Sequence, residues 1–266
     1  MSDVDNAISC FKKAIEVIPL VPGSAESGPD LHTVLENLGN SFSSRFACTK
    51  NRDDIDSAIS AFHQAASCDI EPSSSTSLEQ LCGRDANLPY CLTYLALAFL
   101  DRFELMEDPM DITNAISVLQ RAVNLISNTP EDRVFFLTNL ASALWGRFNH
   151  SKDVTDLHDA ISHQRSAVDL TPPGHVQMPE LLNNLGLYLY WCFQETKIIS
   201  DVDNAISCFE KAIEVIPLVL WLGREWGGPT YRFREPWEFI FFPFRMHQEQ
   251  RGYRLSNIGI SPGFLL

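Results

Sequence analysis

Positive charge is scarce in this chain: 20 Lys and Arg stand against 34 Asp and Glu over 266 residues, a net charge of −14. Binding along a nucleic-acid backbone needs Lys and Arg to displace counterions, and docking on anionic lipid needs the same, so both are excluded as leading readings. Cysteine pairs are missing as well. The seven cysteines (10, 48, 68, 82, 91, 192, 208) form no CxxC and no zinc spacing. Scattered and odd in number, they fit reduced thiols and a cytoplasmic setting. No cleavable signal is visible at the acidic, polar N-terminus, and the longest apolar cluster, 239–244, is too short to span a bilayer and contains Pro243.

Catalytic and metal-binding patterns are equally thin. Gln80-Leu81-Cys82-Gly83 faintly matches a caspase nucleophile signature but sits in a Ser-rich insertion between helical patterns, where an ordinary loop cysteine is expected. His158 and His163 are five apart on a helix and do not share a face as metal ligands must. Asp53-Asp54-x-Asp56 lacks the glycine and closing Glu of a calcium loop, and its place before Ala58 reads as a helix N-terminus whose dipole favours carboxylates. Asn149-His150-Ser151 is a sequon by pattern only, and 72–77 has the composition of a flexible linker. No enzyme activity, metal or cofactor is expected.

What the chain does have is repetition. Residues 2–21 and 200–219 agree at nineteen of twenty positions, with Lys12 against Glu210 as the difference. The same frame recurs between them: Ala7-Ile8, Ala58-Ile59, Ala115-Ile116, Ala160-Ile161 and Ala205-Ile206, with Phe11, Phe62, Leu119, Gln164 and Phe209 four residues after each Ala. Apolar residues at i, i+3 or i+4 and i+7 make each copy a helix with one buried stripe. Ser2 and Ser200 read as N-caps, and Pro19, Pro172 and Pro217 as helix ends.

A second helical pattern alternates with the first, Leu-x-x-Leu-[Gly or Ala]-x-x-[Phe or Leu], centred on Gly39, Ala96, Ala141 and Gly186. Three copies close on Arg-Phe (Arg45-Phe46, Arg102-Phe103, Arg147-Phe148) and the fourth on Cys192-Phe193. From each of these small residues to the next Ala is 19 positions every time, whereas the return distance is 32, 38, 26 and 26. Hairpins of fixed internal geometry joined by loops that tolerate insertion give that pattern, with a minimum period of 45.

These residues resemble the tetratricopeptide repeat (TPR) family, whose pattern runs through a large apolar residue, Leu-Gly, an aromatic, Ala-x3-Phe-x2-Ala and a closing Pro. The long period resembles arrays from mushroom-forming fungi that often precede a caspase-like (CHAT) domain. The resemblance implies an all-α, right-handed solenoid of antiparallel helix hairpins over residues 1–219, working as a protein–protein interaction scaffold. The alternative is a regulatory fragment of a larger protein with a caspase-like peptidase or nucleotide-switch domain outside this chain.

In the family the first helix of each hairpin lines a concave groove that takes a peptide or partner helix. The residue two before the small residue is Asn37, Tyr94, Asn139 and Asn184, and an Asn there bonds a bound peptide's backbone, which an amide suits because it donates and accepts. Groove positions further along are Tyr90, Phe135, Trp145, Tyr190 and Trp191. Water-facing amides and plain core packing of the aromatics are the competing readings of these positions. No Lys or Arg occupies them, so the family's clamp for a terminal carboxylate is absent. The expected partner is therefore a protein or peptide, with no nucleic acid, membrane or small-molecule cofactor.

Residues 220–266 break the frame: they hold three of the five Trp, six Arg, four Glu and no Lys or Asp. This irregular, aromatic-rich tail reads either as a hydrophobic cap or as out-of-frame sequence. The first repeat starts on its second helix, so both ends read as breaks in a larger array.

Overall fold

A computed structural model describes residues 2–17, 31–68, 87–125 and 129–225 of the chain. The described residues form nine α-helices and no strand: α1 (Ser2–Val17), α2 (Leu31–Thr49), α3 (Arg52–Cys68), α4 (Leu88–Met106), α5 (Pro109–Leu125), α6 (Pro130–Ser151), α7 (Val154–Leu170), α8 (Met178–Thr196) and α9 (Ile199–Glu225). They fall into two compact units, Met1–Thr171 with α1 to α7 and Pro172–Leu266 with α8 and α9. The protein is an all-α solenoid of antiparallel helix hairpins. Cys82, the linker at 72–77 and residues 226–266 lie outside the described residues.

The hairpins explain the constant 19-residue spacing. Two residues separate the helices of each pair, and the first of the two is always left-handed: Lys50, Glu107, Lys152 and Lys197, with φ between 54° and 61°. Each gives its N–H to the carbonyl of the Phe four residues earlier, at 2.7 to 2.8 Å, which closes the first helix. In three hairpins the next residue opens the second helix. The side chains of Asn51, Asp108 and Asp153 each accept the N–H two residues on, at 3.1, 2.9 and 3.0 Å. So short a turn leaves the two helices no choice but to run antiparallel. Three first helices also carry a proline within their first two residues, Pro89, Pro130 and Pro179, at positions whose N–H has no helical partner to lose.

In the first unit α2 with α3, α4 with α5 and α6 with α7 form three hairpins, and α1 packs on α2, α3 on α4 and α5 on α6. One core cluster collects Ile8, Leu38, Phe42, Phe46, Phe62 and Leu95; a second collects Leu35, Leu88, Leu92, Ala122, Leu125 and Phe136. In the second unit α8 and α9 form one hairpin. Within a hairpin the small residue of the first helix lies under the side chain 23 positions on. A Cβ added to Gly39 would come within 2.6 Å of the Phe62 ring, and one on Gly186 within 2.8 Å of the Phe209 ring.

Two helix limits differ from the sequence reading. α9 continues past Pro217 to Glu225. A proline removes one donor, and extending an established helix across that gap costs less than nucleating a new one, with no glycine before Gly223 to stop it. Ser200 is not an N-cap but lies inside the first turn of α9, because the tight turn at Lys197 starts that helix at Ile199; Ser2 likewise is the first residue of α1.

Ala115, Ala122, Ala160 and Ala167 are all fully buried. Enlarging any one to Leu should overpack the hairpin at a cost of about 1–3 kcal/mol. Urea denaturation checks this, and unchanged midpoints for all four would remove the hairpin packing described above.

Candidate functional site

Two constellations stand out on the first helices: an aromatic shelf between α4 and α6, and a repeated cation–carboxylate clasp at the hairpin turns.

The shelf is built from two of the expected groove positions and the residues around them. The Tyr90 ring lies 6.0 Å from that of Phe135 at 30°, and 5.1 Å from that of Phe136. Phe135 and Phe136 are consecutive on α6, so they point to different sides: Phe136 is 1% exposed in the second core cluster, while Phe135 remains 37% exposed. The Tyr90 hydroxyl donates to Asp132, which also accepts from the Thr129 hydroxyl. These two donors hold the Asp132 carboxyl below its ordinary pKa, the Thr129 bond contributing most. The Tyr90 phenol is pushed up to about 12, first by its bond to Asp132 and then by burial. Asn139, one turn along α6, donates from Nδ2 to the Phe135 carbonyl at 2.8 Å, which leaves its second N–H and its oxygen for another partner.

The other expected positions are placed differently. Asn37 is exposed on α2, where its own carbonyl accepts from Ser41. Tyr94 is half-buried; it stacks on Phe62 at 6.0 Å and packs against the first core cluster. Trp145 is half-buried near the far end of α6. Asn184, Tyr190 and Trp191 lie half-buried on α8 of the second unit, where the rings of Tyr190 and Trp191 meet nearly edge to face at 6.0 Å. The structure thus brings Tyr90, Phe135 and Asn139 together and draws Tyr94 toward the core. Asp132 and Thr129 were not singled out from the sequence, although their three-residue spacing at a helix start was a usable signal.

The clasps involve residues that the sequence had placed elsewhere. Arg45 grips Asp54 with Nε at 3.0 Å and Nη2 at 2.5 Å; Arg102 grips Asp111 at 2.9 and 2.6 Å, and Arg147 grips Asp156 at 2.8 and 2.6 Å. The three carboxylates are buried, and the arginines reach the surface with the guanidinium partly exposed. Asp54 is therefore the buried partner of Arg45 and not simply a charge at a helix start. Two arginines also reach back to the preceding second helix: Arg45 Nη1 to Asp5 and Arg102 Nη1 to Asp56, each 2.7 Å. The Asp54 and Asp111 bonds, more than the second partners, raise these guanidinium pKa values further above their ordinary range. Burial alone would raise the Asp56 carboxyl; its bonds to Arg102 and Arg52 outweigh that and leave it below its ordinary value.

In the fourth hairpin Cys192 stands where the others have Arg. Burial, and then Asp201 nine residues on, push its thiol up to about 11, so it is a protonated and unreactive cysteine at neutral pH. Among the described residues no helix is long and apolar enough to cross a membrane, and no group of three or more His, Cys, Asp or Glu is placed to hold a metal ion.

No protein-family model matches the chain, and no curated protein matches it. Among solved structures it is similar to BtubC (BKLC) from P. vanneervenii, at 13% identity and a TM-score of 0.50 over 94% of this chain and 93% of that one, a likeness of fold alone. MamA (19% identity, TM-score 0.47, 80% of this chain and 89% of that one) is a looser match, as is YrrB, described as a TPR protein with an unusual peptide-binding site (18%, 0.47, 84% of each). Neither bears on function here.

Because Arg102 holds carboxylates on two helices and Arg147 on one, Arg102→Met should destabilise the first unit more than Arg147→Met. Leaving a buried carboxylate without its cation costs about 3–5 kcal/mol at full burial, and less here where the arginine is partly in water. Asp56 has a depressed folded pKa, so its contribution is complete near neutral pH and is lost as pH falls through the carboxylate range. Urea titrations at pH 7 and pH 3 check both points; equal costs at pH 7 would contradict the two-partner role of Arg102.

Proposed function

We propose that the chain is a non-enzymatic scaffold of the TPR type, in its long-period form, that binds an extended peptide or partner helix on the faces of its first helices. The observation that carries this reading is the shelf of Tyr90 and Phe135 beside Asn139. A large ring left 37% exposed is fixed from below by stacking and by the Tyr90–Asp132 bond, and an amide with spare donor and acceptor sits one turn away. A rigid aromatic anchor beside a hydrogen-bonding amide suits a peptide: the ring takes an apolar side chain and the amide takes the backbone. Asn37, Tyr94 and Trp145 extend the proposed surface in the first unit, and Asn184, Tyr190 and Trp191 form its counterpart in the second.

With the Asp132 carboxylate bonded to Tyr90 and a net charge of −14, the favoured ligand is apolar or basic and does not dock by a terminal carboxylate. Nucleic acid, lipid surfaces and small-molecule cofactors are not part of this reading, and the cytoplasm is the proposed setting.

Display selection of peptides against the whole chain supplies the probe. Asn139→Ala and Asn184→Ala should each weaken the selected peptide by about 1 kcal/mol, and Phe135→Ala by about 2 kcal/mol, with helicity unchanged by circular dichroism. Binding that persists in these variants while stability falls would show that the residues serve packing and water, and would remove the proposal.

A further inference from the structure

The two nearly identical helices sit in different settings, and α9 leaves open the isoleucines whose counterparts α1 covers. In α1, Ile8 is 4% exposed and packs with Leu38, Phe42 and Phe46, flanked by Val4, Phe11 and Ile15. Asp5 pairs with Arg45 at 2.7 Å, and the Lys12 ammonium lies 5.3 Å from the centre of the Phe42 ring. In α9 the matching isoleucines are open: Ile206 is 50% exposed and Ile213 is 56% exposed. Asp203, the counterpart of Asp5, is exposed and makes no ion pair among the described residues. What α9 buries is its other side, with Ala205 at 1%, Ala212 at 0% and the Phe209 ring against Gly186.

The chain therefore contains the surface that fits the open face of α9. The α2–α3 hairpin already receives this sequence as α1, and α9 repeats it letter for letter from Ser200 to Val219 except at Glu210. We infer that α9 of one copy docks on the α2–α3 hairpin of a second copy in place of its α1, with Ile206 taking the seat of Ile8 and Asp203 pairing with Arg45.

The exchange is governed by concentration. Because α1 belongs to the same chain as the α2–α3 hairpin, it competes at an effective concentration of roughly a millimolar, and single copies prevail when dilute. The contact joins two different surfaces, α9 of one copy and the α2–α3 hairpin of another, so it is heterologous and each copy keeps a free surface to recruit the next. The single difference between the twins acts as a brake: Glu210 would place a carboxylate where Lys12 sits over Phe42, which trades a cation–π attraction for repulsion from the ring face. Nothing in this inference depends on the aromatic shelf.

Sedimentation of the whole chain from about 1 µM to about 1 mM tests it. Single copies should give way to a growing series of multimers. Ile206→Glu with Ile213→Glu, both exposed, should keep helicity and abolish the series. Glu210→Lys and, separately, Lys12→Glu should each shift assembly to concentrations several-fold lower, because the first strengthens the incoming helix and the second weakens the resident one. A labelled synthetic peptide of residues 199–216 carrying Glu210→Lys should bind the whole chain, and the same peptide with Ile206→Glu should not. A wild-type chain and a Glu210→Lys chain that both sediment as single copies throughout, together with no peptide binding, would overturn the inference. So would multimers that survive Ile206→Glu with Ile213→Glu.

Discussion

The hairpins depend on one close approach, the point at which a small residue of the first helix lies under the side chain 23 positions later. That side chain is Phe62 over Gly39 and Phe209 over Gly186; the register gives Leu119 over Ala96 and Gln164 over Ala141, each of these four fully buried. Glycine occurs where the covering group is a phenyl ring and alanine where it is smaller. The two members of each pair together fill one fixed volume, as close-packed interiors require. A shared volume at this contact lets the side chains change from hairpin to hairpin while the same turn joins each pair.

Those turns add a second constraint. The left-handed residue, the preceding Phe carbonyl and the Arg–Asp clasp all lie within a dozen residues, and together they fix where the second helix begins relative to the first. A half-buried ion pair adds little net stability, since desolvation offsets most of the attraction. Its value here is directional: a buried carboxylate accepts only the one arginine that can reach it, so a slip in register strands a charge. Arg45 and Arg102 carry the same logic one step further by tying each hairpin to the helix before it. Where Cys192 replaces the arginine, the fourth hairpin keeps the turn at Lys197 without the clasp.

The repeat frame was legible because its markers are backbone-close residues: Gly39, Ala96, Ala141 and Gly186 recur at a constant distance from Ala58, Ala115, Ala160 and Ala205. The clasps were half legible. Arg-Phe was visible as a motif, but Asp54 was assigned to its own helix terminus because nothing local shows that a side chain nine residues back will cover it. The extension of α9 through Pro217 was hidden for a related reason, since proline's local penalty says nothing of the helix already formed before it. Among the candidate groove residues, the family resemblance pointed to Tyr90, Phe135 and Asn139 on the first helices, yet it left open whether each ring stays exposed, as Phe135 does, or packs into the core. Nor could it foresee that the ring of Phe62 would draw Tyr94 inward. Tertiary neighbours decide such questions.

The small residue and its covering ring act as one unit of volume, and a double-mutant cycle at Gly39 and Phe62 measures whether they do. Gly39→Ala alone should destabilise the first unit because the new methyl collides with the ring, and Phe62→Leu alone should leave a cavity. Combined, the two changes recreate the alanine–leucine pairing of the next hairpin, so their costs should offset, with a coupling of about 1–3 kcal/mol in urea denaturation. Strictly additive costs would mean that the two positions do not share a space.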